Sequence, residues 1–451
     1  MLALAACSGP SPLDAPDAGR TSTYEPGLPS LDLEAIPAVR DGEPGITAYT
    51  SIPQATLVFT RTDEGYAARY DVSLRVKDEQ GRATESFSTR TDTVAVDAPE
   101  ATRAPDRIGR QEWVPLAPGV YVIEAALEDL ESGERAVRQQ RVEVPTPTGA
   151  AMLGRPLVRA RLRPGGPVEP VVALHLPARR DSLSVEVAAY DAPPGATLSL
   201  HILRLRADTS VAVPPFWLSP SRGSLAFRGL DAGDADTVRV AQQRLDEAAE
   251  QTVSLDLPDL RPGVYRLDLR LSTGGIPLAR QQRILSVKGP GFPQLATLAE
   301  LVDALAYIGY PRETEFIREG TNARERRRRF DAFWGTLVPD RRVAANLLRT
   351  YYERVEEANR LFTSVKPGWK TDRGMVYVVF GAPEYVERTF EGEVWYYAYG
   401  AEDPASTFAF ERADYYSGSA DPFGHHVLVR QAAYERPWVR AVQRWREGTA
   451  L

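Results

Sequence analysis

The sequence predicts two all-β sandwiches followed by an α+β domain with N-terminal helices and a small antiparallel sheet. Three observations carry this. A long segment recurs about 144 residues downstream of its first copy. Period-two alternation fills the chain up to about residue 290, and after Pro293 the apolar period changes to three and four. A chain of 451 residues is also too long for one ordinary core.

The copies are "LAPGVYVIEAALEDLESGERAVRQQRVEV" from Leu116 and "LRPGVYRLDLRLSTGGIPLARQQRILSV" from Leu260. Both read Leu-x-Pro-Gly-Val-Tyr, an alternating strand, a Gly-containing turn, and Arg-Gln-Gln-Arg before a closing strand. Upstream, Tyr70, Val72, Leu74 and Val76 alternate with Asp71, Ser73 and Arg75, and Leu183, Val185 and Val187 alternate with Ser184 and Glu186. Such alternation means strands with one wet face. The expected sandwiches cover residues 46–147 and 148–290. The Leu-x-Pro-Gly-x-Tyr pattern resembles the tyrosine corner of immunoglobulin-like and fibronectin type III-like domains. The resemblance implies a structural role for Tyr121 and Tyr265, the hydroxyl returning to nearby backbone. His175 and His201 have no ligand-spaced partner and are given no chemistry.

The single cysteine, Cys7, lies within "LALAACSG". Leu4-Ala5-Ala6-Cys7 matches the bacterial lipobox, and a Pro-, Gly- and Ser-rich stretch follows, read as a flexible tether over residues 8–45. Residues 1–7 are thus expected to be a truncated lipoprotein signal. Only Met1 to Ala6 precede the cysteine, too few for a signal peptide, so the true start is expected upstream. An acylated Cys7 would hold the protein on a membrane facing away from the cytoplasm, the outer membrane being favoured. The net charge of −7 argues against a nucleic-acid partner.

In the C-terminal region, 291–451, "PQLATLAELVDALAYIGYP" places Leu295, Leu298, Leu301, Val302 and Leu305 on one helical face, closed by Gly309 and Pro311. "RRVAANLLRTYYERVEEANRLF" does the same with Val343, Leu347, Tyr351, Val355, Ala358 and Leu361 or Phe362. Between them "ARERRRRFDAFWG" reads as a helix anchored by Phe330, Phe333 and Trp334. Its arginines are expected to be solvated or to meet Glu313, Glu315 and Glu319, with an anionic partner as the alternative. Half of the 40 aromatic residues lie from Tyr351 onwards. Strands are expected at 375–380, 393–399, 406–410 and 425–430. On the second, Trp395, Tyr397 and Tyr399 share a face and are the candidate glycan or peptide surface.

"FDAFW", "YYERVEEANRLF", "GWKTDRGMVYVVFGAPEYVE" and "EVWYY", in this order, resemble the GWxTD domain of exported and lipid-anchored bacterial proteins, over about 295–451. The resemblance implies an extracytoplasmic setting and no reaction. The family's Arg-Asp-Pro-type turn is here replaced by "GTLVPDRRVAAN". Gly368, Trp369, Thr371, Asp372 and Arg373 form the candidate partner or structural site: Pro367-Gly368 turns the chain, Trp369 is a large anchor, and Thr371 or Asp372 can fix the turn through backbone amides.

No catalytic residue, cofactor or metal is assigned. Asp372 and Glu384 lie at opposite ends of the expected strand, roughly 40 Å apart if fully extended, too far for an acid/base pair. His425 and His426 are adjacent, and neighbouring strand residues face opposite sides. No hydrolase, P-loop or dinucleotide fingerprint occurs. The expected function is therefore a non-enzymatic, membrane-anchored scaffold or interaction protein of the bacterial envelope with a protein partner. A glycan- or peptide-binding surface protein is the alternative, and an uncharacterised hydrolase the remaining one.

Overall fold

The computed structural model describes residues 28–40, 42–104, 106–146, 149–162, 164–172, 175–176, 180–217, 229–246, 251–388, 392–397, 406–413 and 423–450. These divide between two compact units, one built on residues 29–147 and one on residues 148–413 with 425–451.

The first unit contains β1 (Asp32–Arg40), β2 (Glu43–Pro53), β3 (Thr60–Thr62), β4 (Gly65–Asp78), β5 (Ala83–Val96), β6 (Arg107–Pro115), β7 (Gly119–Asp129) and β8 (Arg135–Val144). One antiparallel sheet has the order β1-β2-β6; in the other, β4 pairs with β3, β5 and β7, and β8 follows β7. The alternation read from sequence is the sidedness of β4: Tyr70, Val72, Leu74 and Val76 are buried, facing a core shared with Ile46, Ile52, Ile123 and Leu127. One boundary is corrected. The tether expected over 8–45 contains β1, which pairs with β2 from Asp32↔Ser51 to Arg40↔Glu43. The alternation of Leu31, Leu33 and Ala35, all buried, makes this stretch a sheet strand despite the polar composition before it.

The second unit opens with β9 (Met152–Leu153), β10 (Leu157–Arg161), β11 (Glu169–Pro170), β12 (His175–Leu176), β13 (Ser182–Tyr190), β14 (Thr197–Ala207), β15 (Leu230–Arg244), β16 (Gln251–Asp256), β17 (Gly263–Thr273) and β18 (Ile276–Val287). The sheet orders are β11-β10-β13-β16 and β12-β18-β17-β14-β15. β10, β13 and β16 thus repeat β1, β2 and β6, while β14, β15, β17 and β18 repeat β4, β5, β7 and β8. The sequence repeat falls on the equivalent hairpins β7–β8 and β17–β18. In both, the tyrosine hydroxyl donates to the carbonyl four residues back: Tyr121 to Ala117 at 3.0 Å and Tyr265 to Arg261 at 2.7 Å.

The remainder carries α1 (Leu298–Ala304), α2 (Pro311–Arg318), α3 (Ala323–Leu337), α4 (Arg341–Phe362), α5 (Asp372–Phe380), β19 (Tyr385–Arg388), β20 (Gly392–Tyr397), β21 (Ser406–Arg412), β22 (His426–Leu428) and α6 (Glu435–Glu447). The four strands form one antiparallel sheet in chain order. Thr297 and Glu300 make a reciprocal capping box at α1, Asn322 caps α3 and Asp340 caps α4. Leu347, Tyr351, Val355, Ala358 and Phe362 of α4 are fully buried. The segment 375–380 is a correction: it is helical, not a strand. Every residue of α5 is buried, so no polar stripe marks its period, and six apolar residues read alike as a buried strand or a buried helix. Among the described residues no helix is long and apolar enough to cross a membrane.

Candidate functional site

The Gly368-Trp369-Lys370-Thr371-Asp372 stretch is the hinge between α4 and α5, and its geometry is set by close backbone approach. A Cβ on Gly368 would stand 1.9 Å from the Ala358 carbonyl oxygen, so the turn can lie against the last turns of α4 only because this residue has no side chain. A Cβ on Gly374 would stand 1.9 Å from the Gly368 carbonyl oxygen. The backbone groups freed by the turn are all met. Gly368 N–H donates to Thr363 Oγ1 at 2.8 Å, Trp369 N–H to Asn359 Oδ1 at 3.2 Å, and Tyr307 Oη to the Trp369 carbonyl at 2.6 Å. Thr371 bonds back to the Gly368 carbonyl at 2.7 Å and caps α5 by accepting from Gly374 N–H at 3.0 Å. Trp369 is only 2 % exposed and meets Tyr307 edge-on, with ring centroids 6.1 Å apart. It faces the core.

Asp372 and Arg373 are equally inward. Asp372 does not fix its own turn; it crosses to the sheet, where it accepts from Leu428 N–H at 2.9 Å and from both arms of Arg430 at 2.7 and 3.1 Å. Arg373, 2 % exposed, pairs with the buried Glu393 of β20 at 3.1 Å and lies over the Phe362 ring. Asp372 and Arg373 of the candidate partner site are therefore held in two separate buried ion pairs, neither offered to a partner.

Around the hinge, the second sandwich is joined to the C-terminal elements by polar groups distant in sequence. Lys366 donates to Asp208 at 2.7 Å and to the Ser210 carbonyl at 2.9 Å. Ala212 N–H reaches the Lys370 carbonyl at 3.0 Å, and Arg430 the Val213 carbonyl at 3.3 Å. Lys288, just after β18, donates to the Ser364 carbonyl at 2.9 Å, and His175 Nε2 lies 3.1 Å from the Thr363 carbonyl. His175 thus has a joint-forming position that its isolation in sequence concealed. Burial pushes the Asp208 carboxyl up, but the Lys366 charge and the bonds from Lys366 and Ser210 outweigh it and hold it below the usual range.

Ser364 Oγ stands 2.8 Å from His425 Nδ1, the spacing of a nucleophile and its base. The surroundings do not suit that chemistry. Ser364 is fully buried. The adjoining cavity, lined by Asp208, Lys366, Asp372, His425 and Arg430 among others, has room for about one water. Burial, reinforced by the Lys366 charge, pushes the His425 imidazole down to about 4. The pair closes the joint. Among the described residues no group of three His, Cys, Asp or Glu could hold a metal.

Burial alone pushes the Lys288 ammonium down to about 7, from about 10.4 in an unfolded chain. Because the folded value is the lower one, the native state binds fewer protons, and the destabilisation by Lys288 grows as pH falls from about 10 to 7 and is constant below. Lys288→Met is accordingly expected to stabilise by about 1–3 kcal/mol at pH 6, with a smaller gain at pH 9. Urea unfolding at the two values checks it; a variant weaker than the parent at pH 6 would show that the bond to Ser364 outweighs the buried charge.

The candidate aromatic surface is also corrected. Trp395 and Tyr397 are 0 % and 3 % exposed. Trp395 packs between Phe362 and Phe410, with centroids 5.2 and 4.9 Å away, and Tyr397 against Phe380 and Phe408. The row is the inner face of the sheet, covering α4 and α5; the outward partners are Tyr396 and, on β19, Tyr385. Tyr399 and Cys7 lie outside the described residues. Two of the five α3 arginines meet acids of their own helix, Arg327 with Asp331 and Arg329 with Glu325, while Glu313 is taken by Arg446.

Residues 277–447 match the GWxTD domain family. No curated protein matches the chain. Among solved structures, a red sea bream transglutaminase is 11 % identical over 57 % of this chain and 31 % of its own, with a TM-score of 0.18. A Salmonella α2-macroglobulin reacted with methylamine is 12 % identical over 61 % of this chain and 17 % of its own, with a TM-score of 0.19. The chain spans less than a third of either structure, and likenesses at these scores carry no argument.

Proposed function

We propose, for a chain that carries a GWxTD domain over residues 277–447, a non-enzymatic role as a lipid-anchored scaffold or interaction protein of the bacterial envelope. One observation carries the reading: the signature residues close a rigid joint between the domain and the β-sandwich before it, and the cavity beside them admits about one water. Residues that assembled a reaction centre would converge on a chamber for substrate. These converge on each other.

The anchor is Cys7, acylated within Leu4-Ala5-Ala6-Cys7, on a membrane facing away from the cytoplasm and by preference the outer membrane. The two sandwiches are immunoglobulin- or fibronectin type III-like spacers. Their shared strand order and their tyrosine-to-backbone bonds support this. The partner is an envelope protein met through exposed side chains, not through Trp369. Mass spectrometry of the native chain tests the anchor, with an acylated Cys7 at the mature N-terminus expected and a free thiol overturning it. A photo-crosslinking residue at Tyr385, 60 % exposed on the sheet's outer face, tests the partner. A discrete envelope-protein adduct at this and neighbouring outward positions is expected; its absence at all of them would remove the interaction role.

A further inference from the structure

We propose that α2 and α3 form a second, acylation-independent membrane contact, which binds the headgroups of anionic phospholipids. The chain is acidic, with a net charge of −7, yet residues 310–329 hold seven arginines against four glutamates. Three of those arginines are paired: Arg318 with Asp303, Arg327 with Asp331 and Arg329 with Glu325. Arg312, Arg324, Arg326 and Arg328 are exposed and make no ion pair among the described residues. Arg324 and Arg328 stand four apart on α3, where like charges weaken a helix, so helix stability is not what they serve. At about 100° per residue they fall on the side away from the buried Phe330, Phe333 and Trp334.

Two large rings are exposed on the same helical hairpin, Tyr310 at 60 % and Phe316 at 55 %. Guanidinium groups hold both from behind: Arg446 lies 4.0 Å from the Tyr310 centroid and Arg329 4.2 Å from that of Phe316. Exposed aromatic rings on the same hairpin as unpaired arginines suit the interface of an anionic bilayer, where rings sit at headgroup depth and arginines meet phosphate. The exposed rings decide between anionic partners. Arg324 and Arg328, one helical turn apart, can share a single phosphate, but that leaves Tyr310 and Phe316 in water, whereas a sheet of headgroups meets arginines and rings together.

The test uses the full chain with Cys7→Ser, so that acylation plays no part, and vesicles of equal parts phosphatidylglycerol and phosphatidylcholine. Co-sedimentation is expected with these and not with phosphatidylcholine alone, and it should fall steeply as salt is raised to about 0.5 M. The double variant R324Q/R328Q should keep the parent's thermal midpoint and bind about 25-fold more weakly, near fivefold for each arginine. Undiminished binding by the double variant overturns the proposal. So does equal binding to phosphatidylcholine, or duplex DNA bound as tightly as the anionic vesicles. Failure here would leave an acylated Cys7 and a protein partner untouched.

Discussion

Gly368→Ala is expected to cost at least about 3 kcal/mol, enough to leave much of the C-terminal region without its native packing. The new methyl would stand 1.9 Å from the Ala358 carbonyl oxygen and 2.7 Å from its carbon, with Asn359 Cα next at 2.9 Å. Both belong to the interior of α4, which cannot move without breaking its own hydrogen bonds. The turn cannot retreat either, since Gly368 N–H and Trp369 N–H are tied to the end of α4 and the Trp369 carbonyl to Tyr307. Overpacking against backbone on both sides has no rotamer to absorb it, unlike a crowded side chain. Gly335→Ala supplies the comparison, because Gly335 lies within α3 and a methyl group there would meet nothing within 4 Å. At that position alanine should stabilise by about 0.5–1 kcal/mol through helix propensity. Urea unfolding followed by tryptophan fluorescence separates the two, and a Gly368→Ala protein as stable as the parent would mean that the hinge is not closed as described.

What could be read from the residues follows from what each pattern depends on. The sandwiches are legible because a half-buried strand writes its sidedness into every second residue, as Tyr70 to Val76 do, and because the duplication wrote the same hairpin twice. The long amphipathic face of α4 is legible for the same reason at its own period. α5 is not, because a helix buried all round has no period to show. The available signal is local: Thr371 three residues before Gly374 as an N-cap, and Gly381 closing the end with positive φ. On β20 the alternation holds but the expected outward face is the inner one, since Trp395 and Tyr397 look the same in sequence whether they cover α4 or meet a ligand. The joint is beyond reach: Lys366 and Asp208 are 158 residues apart, and nothing near either one names the other.

Arg373 and Glu393 give the sharpest test of the idea that the signature serves closure. Both are nearly fully buried, at 2 % and 3 % exposed, and they tie the first turn of α5 to β20. Arg373→Met would leave the Glu393 carboxylate in the interior without this partner, a change that costs about 3–5 kcal/mol. Glu393→Leu would likewise take this carboxylate from the buried guanidinium. A buried pair is a weak net source of stability once its desolvation is counted, so removing both charges together should be far milder. R373M/E393L is expected within about 2 kcal/mol of the parent, with the introduced thioether free to pack on the Phe362 ring that Arg373 now covers. A double-mutant cycle by urea unfolding would then show a coupling of at least about 2 kcal/mol. If instead the two single losses simply add, each residue is held by something other than its partner. The pair would then not be what fixes α5 to the sheet.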